Sequence, residues 1–302
     1  MRRKFLIISL LAAVSVAAFS VAPVAAYAAP LSGDSDRQAA EKLITTLSSS
    51  SENDAGKLLL DAARMRLGTP YVSGLLDPDG PEKLRMPFVS TDCMIFVETC
   101  LAAVMTAGEE DPSYVKYEEN VRRLRYRGTE GECPPPVLYE TRLHYATAWI
   151  RNLVEKGLAD DLTLEVGGVR STGKLNFMSR NYKSYKQIAA ADSDPQATAR
   201  LKAISLTEAK LNEEPMTYVP KAKIKSIEGK IKDGDLIFFT TSIAGLDVSH
   251  MAIAYRHDGI VGFIHASSVA GKVIVDSGSI ADYALSRKSC TGIKVVRVLP
   301  RS

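Results

Sequence analysis

The sequence predicts an α+β protein in which a mainly helical N-terminal part packs on a C-terminal antiparallel sheet. Apolar residues recur at helical spacing through the first two thirds of the chain. Five short β-branched or aromatic runs then follow one another at 235–240, 248–255, 260–266, 272–275 and 293–298, each bounded by turn residues. Helices first and strands afterwards, rather than in alternation, argue for α+β.

The helices are read from their spacing and their stops. An amphipathic stretch near Asp36–Leu47 follows a polar segment and gives a tether plus a helix. Leu58–Leu67 has helical spacing, and Gly68-Thr69-Pro70 ends it. Met94–Ala107 is a helix closed by Gly108, and Thr141–Lys156 is another closed by Gly157. Residues 128–136, with Cys133 and three prolines, read as a loop, Gly167–Arg170 as a turn, and 190–205 as a polar helix. Asp233-Gly234 opens the first strand, and Asp258-Gly259 is a hairpin turn between the second and third.

Composition bounds the class. The 302 residues are 46% hydrophobic and 24% charged, a globular mixture that excludes a collagen, a coiled-coil rod or a wholly disordered chain. Lys+Arg 38 against Asp+Glu 35 leaves a net charge of +3, too balanced to point to nucleic acid as a partner. The long apolar run is N-terminal. Arg2, Arg3 and Lys4 precede Phe5–Phe19, and Ala26-Tyr27-Ala28 is a small-x-small cleavage site. Residues 1–28 therefore read as a cleaved signal peptide, and the product as an exported, periplasmic protein with no transmembrane segment left after cleavage. Residues 29–56 read as the tether and first helix, and 57–302 as one catalytic domain, expected to be monomeric.

Four cysteines and four histidines make a short list for chemistry. With no CxxC spacing, a structural zinc site is not expected, and neither a metal nor an organic cofactor is needed. An oxidising compartment would permit one disulfide, with Cys133–Cys290 as one pairing that spacing alone does not place. Ser90-Thr91-Asp92 are good helix N-cap residues, which puts Cys93 in the first turn of its helix. There the free N–H groups and the positive dipole end favour thiolate, while the Asp92 carboxylate opposes it unless it turns onto the backbone as a cap. A free cysteine is more often a buried, inert one; Cys100, mid-helix among apolar residues, fits that description.

The hairpin supplies a base. A two-residue turn at Asp258-Gly259 sets His257 opposite Ile260, His250 opposite Ser267 and His265 opposite Ala252. His250 and His265 then lie diagonally on one face, about 7–8 Å apart at the backbone. His257 falls on the other face. This suits His250 as base and His265 as the residue that orients it, whereas a one-residue bulge would invert the parity.

These residues carry a resemblance. A cysteine at a helix start followed by a sheet with two histidines, together with Gly68-Thr69-Pro70-Tyr71 upstream, resembles the papain-like, NlpC-type cell-wall hydrolases. More closely, the chain is similar to the N-acetylmuramoyl-L-alanine amidase-like family of that superfamily. The matching stretches include Asp92-Cys93 with Phe96–Thr99, Arg125–Gly128, Arg142–Tyr145, Asn176–Ser179, Gly245–His250 and His265–Ser268. Met94-Ile95 departs from the pattern, which has a smaller or hydroxylated residue after the cysteine. The resemblance implies cleavage of the amide between the (anhydro-)muramoyl lactyl group and L-Ala of small peptidoglycan fragments. It implies Cys93 as nucleophile, His250 and His265 as its partners, and the Cys93 N–H with the Tyr71 hydroxyl as oxyanion donors.

Further candidates to meet the substrate are Asp92, Arg142, Tyr145, Asp247, Ser249 and Ser267. Arg142 can fork onto a stem-peptide carboxylate, although a helix arginine is more often a solvated charge. Tyr145 and Trp149 are more often core than a sugar platform. His144 reads as a satisfied structural residue, and the Arg122–Arg127 cluster as a solvated face. The same triad would serve an endopeptidase cutting γ-D-Glu from the diamino acid, because subsite shape decides the bond. A catalytically silent muropeptide-binding protein is the reading from another class, and an intact Cys93, His250 and His265 speaks against it.

Overall fold

The computed structural model describes residues 33–128 and 135–300. The expected signal segment and its cleavage site, and Cys133, lie outside the described residues. Nine helices are described: α1 (Asp34–Ser48), α2 (Ala55–Met65), α3 (Cys93–Ala107), α4 (Tyr114–Arg125), α5 (Ala146–Glu155), α6 (Phe177–Arg180), α7 (Pro195–Leu211), α8 (Ile224–Ile227) and α9 (Ile280–Ser286). The strands are β1 (Ala159–Asp161), β2 (Val169–Ser171), β3 (Met216–Pro220), β4 (Leu236–Thr241), β5 (Val248–His257), β6 (Ile260–Ser267), β7 (Lys272–Val275) and β8 (Cys290–Val298). They form one antiparallel sheet in the order β2-β3-β8-β4-β5-β6-β7, with β1 also paired to β8. The architecture is α+β.

The sheet is covered on both faces, so its central strands are nearly continuous apolar runs. On one face Leu236, Phe238, Met251, Ile253, Ile264 and Ala266 join the core built with α1–α5. On the other, Ile237, Phe239, Ala252 and Phe263 pack with Ile224 of α8 and with Ile280, Ala281 and Ala284 of α9. Helix α3 is the centre of the first core. Thirteen of its 15 residues are buried, because α1, α2 and α4 cover the sides that the sheet does not. The segment ahead of α2 belongs to this core as well: Leu43, Ile44 and Leu47 of α1 are buried in it.

The β5–β6 register is that of a two-residue turn, with His257 opposite Ile260 and Ile253 opposite Ile264. Asp258 and Gly259 have φ of 48° and 75°, the left-handed pair that a type I′ turn requires. A bulge does occur, on the other edge of β5. Phe239 pairs with His250 and Thr240 with Val248, so Ser249 is the extra residue. It leaves the β5–β6 parity intact. Gly234, at φ 82°, closes the turn before β4, and a β-carbon there would collide with the backbone of Gly56 at the start of α2.

Several elements differ from the sequence reading, which gave no helix at α4, α6, α8 or α9. α5 begins at Ala146, not Thr141. Arg142 instead bridges Tyr126 in extended backbone, and the Leu143 N–H donates to Arg125 O at 2.8 Å. The sheet also starts earlier than the predicted strands: β1 and β2 come from the middle third of the chain, and β3 precedes the strand predicted at 235–240. They are three to five residues long, too short to show a period. The turn at Gly167 is real, but Val169–Ser171 continues as β2. The Arg122–Arg127 cluster is not a solvated face throughout: it ends α4, and Arg125 is buried on Glu98 of α3.

The Glu98–Arg125 pair is bidentate on one carboxylate oxygen, and Arg125 also donates to Arg85 O. Removing one partner would strand a charge in a dry core. Arg125→Ala should cost about 3–5 kcal/mol, read as a fall in the chemical denaturation midpoint. A loss under about 1 kcal/mol, typical of an exposed pair, would contradict the placement.

Candidate active site

The approach to Cys93 is fixed before the helix starts. Asp36 of α1 accepts hydrogen bonds from Phe88 N–H (2.7 Å) and Val89 N–H (2.8 Å), anchoring the incoming chain. The Gly68–Val72 segment is stitched to two neighbours. Tyr71 N–H donates to Gly271 O beside the β6–β7 turn, while Thr91 N–H donates to Pro70 O and Val72 N–H to Thr91 O. Tyr71 is thereby held beside Asp92 and Cys93, and both adjoin its hydroxyl electrostatically.

Asp92 is the N-cap of α3. Its carboxylate accepts from Ile95 N–H at 2.8 Å. It thus spends its nearer oxygen on the backbone, although its side chain also borders the adjoining cavity. Burial raises its pKa to about 6, against the pull of the Ile95 amide.

Cys93 is fully buried. Burial pushes its thiol far above the usual range, and the Asp92 carboxylate adds to this. The backbone N–H groups of Met251, Met94 and Cys93 itself pull the other way. Desolvation thus works against the thiolate that a helix start favours. Among the described residues the thiol makes no hydrogen bond with His250. It reaches β5 at Met251, the residue that follows His250.

The two strand histidines are in contact. His250 Nε2 lies 2.6 Å from His265 Nδ1, with the rings edge-on at 4.9 Å between centroids. They share the α9 face of the sheet. Phe239 stacks on His250 at 5.9 Å, and Tyr283 of α9 lies 5.9 Å from His250 and 5.8 Å from His265. Burial, then His265 and the Arg287 cation, lowers the His250 pKa well below the ordinary imidazole value. His257 sits apart at the turn, against Tyr255 and Asp258.

The sequence reading missed Asp276, just after β7. Its Oδ2 is 3.3 Å from His265 Nε2, and its Oδ1 accepts from Gly278 N–H at 2.9 Å. Burial alone would raise this carboxyl, but His265 and the Gly278 amide hold it below the usual range. The hairpin register pointed to His265, but only the β6–β7 pairing, Ile264 with Val275, brings residue 276 alongside it.

A cavity of about 100 Å³ lies beside Met94 and Met251. Arg142 borders it, but is neither solvated nor on a helix. It is buried, donates to Leu76 O, pairs with Glu82 at 3.2 Å and lies over the Tyr139 ring. Tyr145 borders it too, yet its hydroxyl donates to Glu208 (2.6 Å) and accepts from Met178 N–H (3.0 Å). Asp247 is a helix anchor: it accepts from Thr147 N–H of α5 at 2.6 Å and from Val248 N–H at 2.8 Å. Ser267 accepts from Ala270 N–H in the β6–β7 turn, and Ser249 is the bulge residue. Asp77, Tyr139 and Tyr185, not foreseen, each present the cavity wall with a buried polar atom that lacks a hydrogen-bond partner among the described residues. His144 is structural as expected, within 2.7 Å of Tyr139 O. Among the described residues Cys93, Cys100 and Cys290 form no disulfide. Among the described residues no group of three or more His, Cys, Asp or Glu is placed to hold a metal ion.

Comparison with known proteins defines the class first, an amidase-like peptidoglycan hydrolase. The model of the AmiA-like family, described as N-acetylmuramoyl-L-alanine amidase-like, matches residues 61–293, and the chain belongs to that family. Among solved structures it is similar to an N-acetylmuramoyl-L-alanine amidase from Bacteroides uniformis. The two are 34% identical with a TM-score of 0.70, over 81% of this chain and 98% of that one. A Bacteroides fragilis protein provisionally called a xylanase is 32% identical with a TM-score of 0.69, over 78% and 99%. A Legionella pneumophila protein at 21% identity and a TM-score of 0.64, over 89% and 96%, shares the fold. No curated protein matches the chain.

The burial and the neighbouring carboxylate at Cys93 make a measurable prediction. Iodoacetamide labelling of Cys93, followed by peptide mass mapping, should be slow at pH 7 and still rising above pH 9. Asp92→Asn keeps a good N-cap but removes the charge, so it should speed labelling several-fold at a given pH. An unchanged rate would show that the carboxylate does not act on the thiol.

Proposed function

We propose that the protein is a papain-like, NlpC-type cysteine amidase that cleaves the bond between the muramoyl lactyl carbonyl and L-Ala in peptidoglycan fragments, anhydro-forms included. The observation that carries this is the His250–His265 contact on the strand whose next amide, at Met251, faces the Cys93 sulfur. Family membership supports the substrate class. No helix of the described residues is long and apolar enough to cross a membrane.

The raised thiol and the lowered imidazole favour a neutral Cys93–His250 pair over a preformed ion pair. His250 then acts as a general base: it takes the thiol proton as sulfur attacks the lactyl carbonyl. The oxyanion is met by the Cys93 N–H at the start of α3 and by the Tyr71 hydroxyl. Collapse of the intermediate breaks the C–N bond, and His250 returns the proton to the L-Ala amine. Water, deprotonated by the same imidazole, releases the acyl group and restores the thiol. His265 holds the His250 ring throughout. The cavity beside Met94 accepts part of the substrate, with Arg142, Tyr139 and Tyr185 on its wall.

Mass spectrometry of products from a defined anhydro-muropeptide tests the bond. Free stem peptide plus anhydro-sugar is expected; a sugar-linked dipeptide would make the protein an endopeptidase, and no product would make it a binding protein. Cys93→Ala should abolish turnover while keeping the fold. His265→Ala should lose about two to four decades of rate, as loss of an orienting residue does, and His257→Ala should be nearly silent. A folded Cys93→Ala variant with near-wild-type hydrolysis would overturn the mechanism.

We also propose export with cleavage after Ala28. N-terminal sequencing of periplasmic protein should read from Ala29, and a start at Met1 would refute it.

A further inference from the structure

We infer that Asp276 is a positioning residue that fixes the tautomers of both histidines, and so decides which nitrogen of His250 carries the lone pair offered to the thiol. This rests on the reading of Cys93 and His250 as nucleophile and base.

The argument follows donors and acceptors along a chain of three side chains. An ionised carboxylate is acceptor-only. The Asp276 oxygens are already assigned: Oδ1 accepts from the Gly278 N–H at 2.9 Å, and Oδ2 faces His265 Nε2 at 3.3 Å. The second pair lies within ion-pair distance but off the angle of a full hydrogen bond, and His265 Nε2 is otherwise buried without a partner. Among the described residues the polar group nearest to it is this carboxylate, which can only accept, so the nitrogen is the protonated one. In a neutral ring, Nδ1 of His265 must then be the acceptor. The atom it faces, His250 Nε2 at 2.6 Å, must carry a proton. That leaves His250 Nδ1 unprotonated. Among the described residues Nδ1 makes no hydrogen bond, so its lone pair is free for the thiol. When it takes the Cys93 proton, the resulting imidazolium still donates from Nε2 to His265, and no proton need pass to Asp276. Two other charged or titratable groups near the pair are Tyr283, edge-on to the His265 ring at 5.8 Å between centroids, and Arg287, which acts on both His250 and Asp276.

The chain can be reversed by one nearly isosteric substitution. In Asp276→Asn the Gly278 N–H still needs an acceptor, so the amide oxygen stays at the Oδ1 position. The amide NH2 then points at His265 Nε2 and makes it an acceptor. His265 becomes protonated on Nδ1, His250 accepts on Nε2, and the proton of His250 moves to Nδ1. The base is then turned off. In Asp276→Ala nothing faces His265 Nε2, and both tautomers remain accessible.

The ordering is the test. Asp276→Asn should lose about three to four decades of kcat, the scale of a wrong-tautomer lesion. Asp276→Ala should lose only about one to two decades. KM should change little in either. A merely structural Asp276 would give the opposite order, because asparagine preserves shape and the Gly278 contact. Two-bond 1H–15N correlation spectra of the histidine rings, with His250 and His265 assigned through single-histidine variants, read the tautomers without turnover. Wild type should show both rings protonated on Nε2, and Asp276→Asn both protonated on Nδ1. Asparagine milder than alanine, or wild-type His250 protonated on Nδ1, would overturn the inference. If instead Cys93→Ala proved active while the spectra came out as stated, the tautomer assignment would stand and the catalytic reading would fall.

Discussion

The structure depends on one constraint: α3 is apolar around nearly its whole circumference and must be enclosed on every side. A helix with one apolar stripe can lie on a sheet and face water with its back. This one cannot. α1, α2 and α4 are recruited to cover it, and the sheet closes the remaining side. The polar side chains inside each find a partner, although Glu98 bonds through one oxygen alone. Glu98 takes Arg125, Thr99 takes Arg66 as well as Ile95 O, and Thr106 bonds Ala102 O and Asn120. Enclosure fixes the axis of α3 relative to the sheet, and with it the place where residue 93 meets β5.

That enclosure also sets the electrostatics of the candidate site. The free N–H groups at a helix start favour a thiolate, worth about 0.3–1 kcal/mol at an exposed terminus. Taking a charge out of water costs far more. Burial therefore raises Cys93 and Asp92 and lowers His250 together, all toward their uncharged forms. The helix start still matters: its N–H groups oppose the effect of burial at the Cys93 sulfur, and they are worth more as the surroundings become drier.

Much of this was legible in the chain. Asp92 as N-cap, the Asp258-Gly259 turn and the strict side-chain alternation of β5 and β6 are local rules, and each acts within a few residues. They suffice to put His250 and His265 on one face. What escaped was of another kind. Arg142, Tyr145 and Asp247 border the cavity, but their hydrogen bonds to Glu82, Glu208 and the start of α5, with partners 60, 63 and 100 residues away in sequence, had no local signal. Arg125 was hidden among neighbouring arginines for the same reason: its partner lies 27 residues upstream. α9 had a local signal, the Ser279–Asp282 capping box, but at seven residues it was too short to show a period.

The sequence by itself determined the elements whose causes are local: the start of α3 at Cys93, the hairpin that pairs two histidines, and the α+β class. It determined them because capping, turn geometry and side-chain alternation act over one to five residues. Only the tertiary structure decided the charge state of the thiol, the roles of the buried polar residues and the placement of Asp276 on His265. Those depend on what is excluded from water and on strand pairings between segments with no sequence rule linking them. Desolvation belongs to the assembled surroundings of a group and not to its neighbours along the chain, so burial raises the pKa of a cysteine whose helix position alone would lower it.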